Sequence, residues 1–262
     1  MKKTIAMLLT LILALTCLAG CGAGKAENTS DLAYIQDKGV LVVGITDYAP
    51  MDYKDENGEW TGFDAEFARA FSEELGVKCE FFVISDWGKK FLELETKQID
   101  VIWNGMTITE EVKLNTNCSD PYVVNAQVVV MKADAVGNYP DAASLKDLTF
   151  AVENGSAGQD AAVAAGIANI VALQDQAAAL MEVAAGTADG CVIDITMANA
   201  MTGEGTSYAD LAAGISLTSE EYGVGFRKDS DVTAKFNAFM DQMAADETLQ
   251  ALADKYSLTL AE

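Results

Sequence analysis

Asp100-Val101-Ile102-Trp103-Asn104-Gly105-Met106-Thr107-Ile108-Thr109 decides the reading of this chain. Its first four residues read as a buried strand, and the strand opens directly onto a polar loop. Working upstream, Leu41–Ile45 is another short apolar run, followed by a loop over 47–59 that contains Pro50 and the turn-forming Lys54-Asp55-Glu56-Asn57-Gly58. Phe63, Phe67, Phe71 and Leu75 recur at helical spacing, with Asp64 as the expected N-cap and Gly76 as the stop. Cys79–Ile84 is a second strand, and Trp87, Phe91, Leu92 and Leu94 suggest a further helix. Strand, helix, strand, helix, strand is the signature of a parallel α/β unit.

Downstream the pattern starts again. Gln127–Met131 is a long apolar strand and Leu148–Val152 another. Gly155-Ser156-Ala157-Gly158 forms a loop that opens an Ala-rich helix. Ile170–Leu173 is a strand, 174–185 a helix with Leu180, Met181 and Ala184 expected inward, and Cys191–Asp194 a strand. Tyr222–Phe226 is strand-like, and the chain closes on helices carrying Phe236, Phe239, Met240, Met243, Leu249, Leu252 and Tyr256. In each half the third strand ends on polar residues, Asn104-Gly105 in one and Asp194 in the other. Open α/β sheets bind ligands beyond the carboxyl ends of their strands, so two such ends facing each other make a cleft.

The length of 262 residues allows one large domain or two of about 100–140 residues. With 50% apolar and 22% charged residues, disorder is excluded as the main state. A net charge of -23 argues against nucleic acid and anionic lipid as partners. The absence of histidine removes His-based triads, general bases and metal ligands. Met1-Lys2-Lys3 followed by the apolar 4–19 reads as a signal peptide over 1–20, too short to span a bilayer. Cys79, Cys118 and Cys191 all border strand-like runs and are expected to be buried free thiols; their spacing matches no zinc motif, and no metal or cofactor is expected.

Leu18-Ala19-Gly20-Cys21 resembles the bacterial lipoprotein processing site, which implies lipid attachment at Cys21 and a polar tether over 21–30. Gly62-Phe63-Asp64-Ala65-Glu66, the Asn104–Thr109 stretch followed by Ser119-Asp120-Pro121-Tyr122, then Gly155-Ser156, Asp194 and Tyr222-Gly223-Val224-Gly225-Phe226-Arg227-Lys228 resemble, in order and spacing, the extracytoplasmic solute-binding proteins of polar amino-acid ABC importers (family 3). The likeness covers about 31–258. It implies a periplasmic-binding-protein-like type II fold: two α/β lobes, 31–121 with 223–262 and 127–217, joined by a hinge at 122–126 and 218–222. It further implies a monomeric protein held at the extracytoplasmic face of the cell membrane, which closes on a polar amino acid and presents it to ABC permease subunits.

The same resemblance suggests the ligand contacts. Asp194 pairs with the ligand ammonium, and a carboxylate in a shielded cleft suits that role. Asn104, Gly105 and Thr107 line the site from the first lobe. Trp87 packs on the ligand side chain, with Tyr48 opposite. Ser156 and Ala157, before a helix, offer amides to an anion, and Glu153 lies near the ligand side chain. The chain departs from the pattern at Val112, where the family usually carries an arginine that forks the ligand α-carboxylate. The only arginines are Arg69, expected at the surface, and Arg227, expected to be structural. A ligand without an α-carboxylate, such as an amine or another cationic solute, is therefore the first alternative. A receptor module for a sensor is the second. A dehydratase on the same architecture is the third, but it lacks a second catalytic partner for Glu153 or Asp194, and the protein is expected not to be an enzyme.

Overall fold

The computed structural model describes residues 30–262. The signal peptide and Cys21 lie outside the described residues. The strands, in chain order, are β1 (Val40–Ile45), β2 (Tyr53–Lys54), β3 (Trp60–Thr61), β4 (Lys78–Val83), β5 (Val101–Ile102), β6 (Asn117–Cys118), β7 (Val123–Asn125), β8 (Gln127–Lys132), β9 (Thr149–Glu153), β10 (Asn169–Leu173), β11 (Gly190–Asp194), β12 (Leu211–Ser216), β13 (Glu220–Tyr222) and β14 (Gly225–Phe226). Two five-stranded sheets, ordered β4-β1-β5-β14-β6 and β10-β9-β11-β8-β12, form the cores of two α/β lobes. In the first sheet β1 runs parallel to β4 and β5, and β14 inserts antiparallel between β5 and β6. The second repeats the plan, with β9 parallel to β10 and β11, and β8 antiparallel to β11 and β12. The two crossings between sheets, β7 and β13, pair with each other antiparallel.

The helices are α1 (Asp31–Lys38), α2 (Phe63–Leu75), α3 (Lys90–Glu95), α4 (Glu110–Asn115), α5 (Ala157–Ala164), α6 (Gln176–Ala185), α7 (Ile195–Met201), α8 (Val232–Ala245) and α9 (Thr248–Lys255). The 3.6-residue spacing of Phe63, Phe67 and Phe71 puts all three on the buried face of α2. There Phe67 meets Trp103 edge-on at 5.1 Å between centroids, and Trp103 meets Phe236 of α8 at 4.9 Å. Burying each such ring is worth about 1.5–3 kcal/mol, so α8 is integral to the first lobe although it comes from the far end of the chain.

Several local expectations change. Asp64 does not cap α2: the helix begins one residue earlier, after Gly62, and Asp64 is fully buried inside it. On α6 the buried residues are Gln176, Ala179, Leu180 and Val183, whereas Met181 is 61% exposed, so the inward face follows the i, i+3, i+4, i+7 row from Gln176 rather than including Met181. Arg69 is not a free surface charge. Its guanidinium donates to the Trp60 carbonyl at 2.5 Å and lies over the Phe81 ring. Arg227 is structural, forking onto Asp31 at 2.9 and 3.0 Å and reaching Asp100. All three described cysteines are free, but only Cys191 is buried; Cys79 and Cys118 are partly accessible.

Candidate functional site

The carboxyl ends of β5, β9 and β11 converge on a narrow cleft between the lobes, with a cavity of about 30 Å³. Trp87, Asn104, Gly105, Thr107, Glu153, Ser156, Ala157 and Asp194 all line it. Tyr48 does not. It is 1% exposed, and its hydroxyl bonds Thr196 of α7 at 2.5 Å and the Tyr222 hydroxyl. Its ring passes beneath Gly105, where an added Cβ would sit 2.5 Å from Tyr48 Cε1. Tyr48 is thus a buried tie between the lobes rather than a wall of the cleft.

Register explains the polar wall of the second lobe. Asp194, the last residue of β11, stands directly opposite Gln127, the first of β8. Asp194 Oδ1 accepts from Gln127 Nε2 at 2.8 Å and from Asn125 Nδ2, and Oδ2 accepts from Gln176 Nε2. Gln176 Oε1 accepts in return from the Asp194 amide at 2.9 Å. Asp194 occupies the N-cap position of α7 without capping it, so its side chain is committed to the cleft. Glu220 on β13 draws this cluster across to the first lobe. Its Oε1 accepts from Thr107 Oγ1 at 2.7 Å, Asn125 Nδ2 at 2.7 Å and Gln127 Nε2 at 2.6 Å.

Elsewhere in the cleft the expected residues divide their tasks. Asn104 uses its side chain to pin Thr46 at the end of β1, accepting at 2.9 Å and donating at 2.7 Å. The Gly105 amide is taken by Asp64 Oδ2 at 2.6 Å, and Tyr122 donates to the same oxygen at 2.9 Å. Ser156 caps α5 through the Gln159 amide at 3.1 Å, while Gln159 Oε1 returns a bond to the Gly155 amide at 2.7 Å, a variant of the capping box. Glu153 is 3% exposed, and its Oε1 has no partner. The lobes also meet at the outer lip, where Asn154 donates to Asp86 at 2.9 Å.

Among the described residues, four carboxylates line the cleft, those of Glu111, Glu153, Asp160 and Asp194, against one cation, Lys90. Val112, 3% exposed, lines it as well. Lys90, Gln127, Gln176 and Glu220 are site residues that the sequence does not single out. Lys90 sits one helical turn after Trp87, which is a usable signal, whereas the glutamines carry no motif. Burial first and the Glu220 charge second push the Asp194 carboxyl up to about 6, against donors that include Gln176 and Asn125. Burial pushes Asp64 up to about 7 despite the Gly105 amide and Tyr122 hydroxyl, and raises Glu153 well above its ordinary value.

A group that holds its proton more tightly when folded makes the native state bind more protons than the unfolded one. Stability then falls as pH rises from the unfolded carboxyl value of about 4 through the folded values of 6 to 7. The carboxyls held low, such as Glu66 beside Lys255, are more accessible and offset little. The urea midpoint of the ligand-free protein is expected to be higher at pH 5 than at pH 7.5, by a margin worth about 2 kcal/mol or more. A higher midpoint at pH 7.5 would contradict the buried, uncompensated state of these carboxyls.

Two α/β lobes, two crossing strands and a polar cleft at the carboxyl strand ends define a periplasmic-binding-protein-like type II fold. Comparison with solved structures agrees. An arginine-binding protein mutant from T. maritima superposes with a TM-score of 0.80 at 31% identity, covering 86% of this chain and 98% of that one. The ancestral amino acid-binding protein AncCDT-1, described as a precursor of cyclohexadienyl dehydratase, superposes with a TM-score of 0.79 at 33% identity, covering 87% and 99%. Residues 41–259 match the family described as bacterial extracellular solute-binding proteins, family 3, and the chain belongs to it. Among its relatives are the L-arginine-binding protein of Pseudomonas aeruginosa, 31% identical over 91% of this chain and 95% of that one, and the L-cystine-binding protein TcyJ of Escherichia coli, 26% identical over 94% and 92%.

Proposed function

We propose that the protein captures a polar amino acid between its lobes and delivers it to an ABC importer, without chemistry of its own. The observation that carries this reading is Asp194: a carboxylate 4% exposed, held by three amide donors, in a cleft walled by both lobes. An ammonium there makes charge-assisted bonds in a low dielectric, and it removes the cost of burying the carboxylate. Thr107 faces it from the first lobe, and Trp87 gives an apolar wall for the ligand side chain.

The lobes on this reading are 31–121 with 223–262, and 127–217. The crossings at 122–126 and 218–222 act as the hinge. Ligand contacts to both lobes favour the closed state over the open one, and the permease senses closure. Anchoring through lipidated Cys21 rests on the sequence motif. The excess of carboxylates over cations in the cleft favours one second reading, a cationic solute that lacks an α-carboxylate.

Thermal melts of the purified protein with the twenty amino acids, the amines they yield on decarboxylation, and small polyamines separate the two. A ligand at 100 times its Kd adds about 2.7 kcal/mol, an easily seen shift. One or a few amino acids are expected to raise Tm while their amines do so less. Amines binding better throughout would sink the amino-acid reading.

A further inference from the structure

Lys90 opens α3 inside the cleft and is 4% exposed. Its ammonium donates to two carbonyls, Gly155 O of the opposite lobe at 3.0 Å and Trp87 O of its own lobe at 3.4 Å. It lies 5.2 Å from the centroid of the Trp87 ring and 4.6 Å from that of Phe91. An ammonium has three donors, and no carboxylate of the described residues forms an ion pair with this one. The carboxylates of Glu111, Glu153, Asp160 and Asp86 favour its charge from farther away, but its direct partners are neutral carbonyls and ring faces, so its contact position for an anion is unfilled by the described residues. The two ring faces and two carbonyls hold the ammonium itself at the cleft wall, so the position presents a fixed positive charge to an anion. Asp194 stands on the other lobe, so the cleft offers one cation and, across from it, an anion, within an otherwise acidic lining.

We propose that Lys90 is the carboxylate anchor of this cleft, so that the ligand is a zwitterion whose carboxylate meets Lys90 while its ammonium meets Asp194. The inference rests on the amino-acid reading above and names the group that makes that reading possible. Burial pulls the Lys90 ammonium pKa below its ordinary value even though Glu111, Glu153, Asp160 and Asp86 oppose the shift, so a carboxylate in direct contact adds a charge-assisted bond that these more distant acids do not supply. Lys90 also ties the lobes together through Gly155 O, and a purely mechanical role would make it matter equally for every ligand.

The test uses Lys90→Met, which keeps the stem and removes the charge, with Lys90→Gln in its place should the methionine variant fail to fold. Calorimetry measures affinity for the amino acid that shifts Tm most, for the amine lacking its carboxylate, and for the acid lacking its amino group. The expected result is a loss of about 10–100-fold for the amino acid, with the amine unchanged within threefold. Equal losses for amino acid and amine would reduce Lys90 to a tie between lobes and overturn the proposal, as would an unchanged amino-acid affinity. If the unaltered protein binds only amines, the proposal and the amino-acid reading fall together while solute capture stands. If it binds the deaminated acid but no amino acid, and Lys90→Met abolishes this, the anchor stands and only the amino-acid reading falls.

Discussion

Asp194→Asn is expected to weaken binding of the best amino acid by about 100-fold or more, while the folded state survives. Removing one member of a buried charged pair costs about 3–5 kcal/mol, because the ligand ammonium is left desolvated and unpaired. The ligand-free protein has less to lose. The carboxyl already sits in an unfavourable place, as its rise to about 6 shows, and asparagine keeps an oxygen for Asn125 and Gln127. Its new amide must face Gln176, whose own amide can turn to accept at the expense of the bond from the residue 194 amide, at a cost of about 1 kcal/mol. Calorimetry and a melt of the same preparation read both quantities. Affinity within threefold of the parent protein would remove Asp194 from the site.

Gly155→Ala is expected to cost about 10–100-fold in affinity by a different route, obstruction of closure. Gly155 has φ +70°, and a Cβ there would stand 2.6 Å from Gly88 Cα and 3.0 Å from Gly88 N. Carbon atoms rest about 3.5–4.0 Å apart, so the two backbones would have to separate by roughly 1 Å. These residues belong to opposite lobes, so the methyl group opposes the closed form and leaves the open form with only the left-handed backbone penalty of about 1–2 kcal/mol. Ligand-free Tm is expected to fall by only about 2–8 °C. Small-angle scattering with saturating ligand is expected to show a larger radius of gyration than for the unaltered protein. Unchanged affinity would mean that the lip contact plays no part in binding.

The fold was legible where apolar runs are bounded by polar residues. Val101-Ile102 before Asn104-Gly105, and Cys191–Ile193 before Asp194, mark the strand ends that build the cleft, and eight of the nine candidate contacts line it. What the sequence could not place were residues whose environment depends on distant chain. Tyr48 occurs in a loop, and only the crossing strand that brings Tyr222 beneath it makes it a buried tie. Asp64 has the composition of a cap, yet Gly105 and Tyr122, each some forty to sixty residues away, claim its carboxylate. Gln127 and Glu220 look like ordinary polar residues until the pairing of β8 with β11 and of β13 with β7 brings them to Asp194. The position of Lys90 was readable in principle from its spacing to Trp87, but no local signal announced that a lysine on that turn would be buried.

The insertion of β14 between β5 and β6 also bears on the order in which the lobes can form as the chain emerges, N-terminus first, on the side of the membrane where it folds. The second sheet is drawn from one continuous stretch, Gln127–Ser216, and all its partners are present once that stretch has emerged. The first sheet is not so favoured: β6 pairs with β14 alone, and Trp103 waits for Phe236, residues synthesised more than a hundred positions later. Emergence in chain order therefore completes the parts of the later lobe first, and the earlier lobe stays an incomplete sheet with an open edge until nearly the last of the chain arrives.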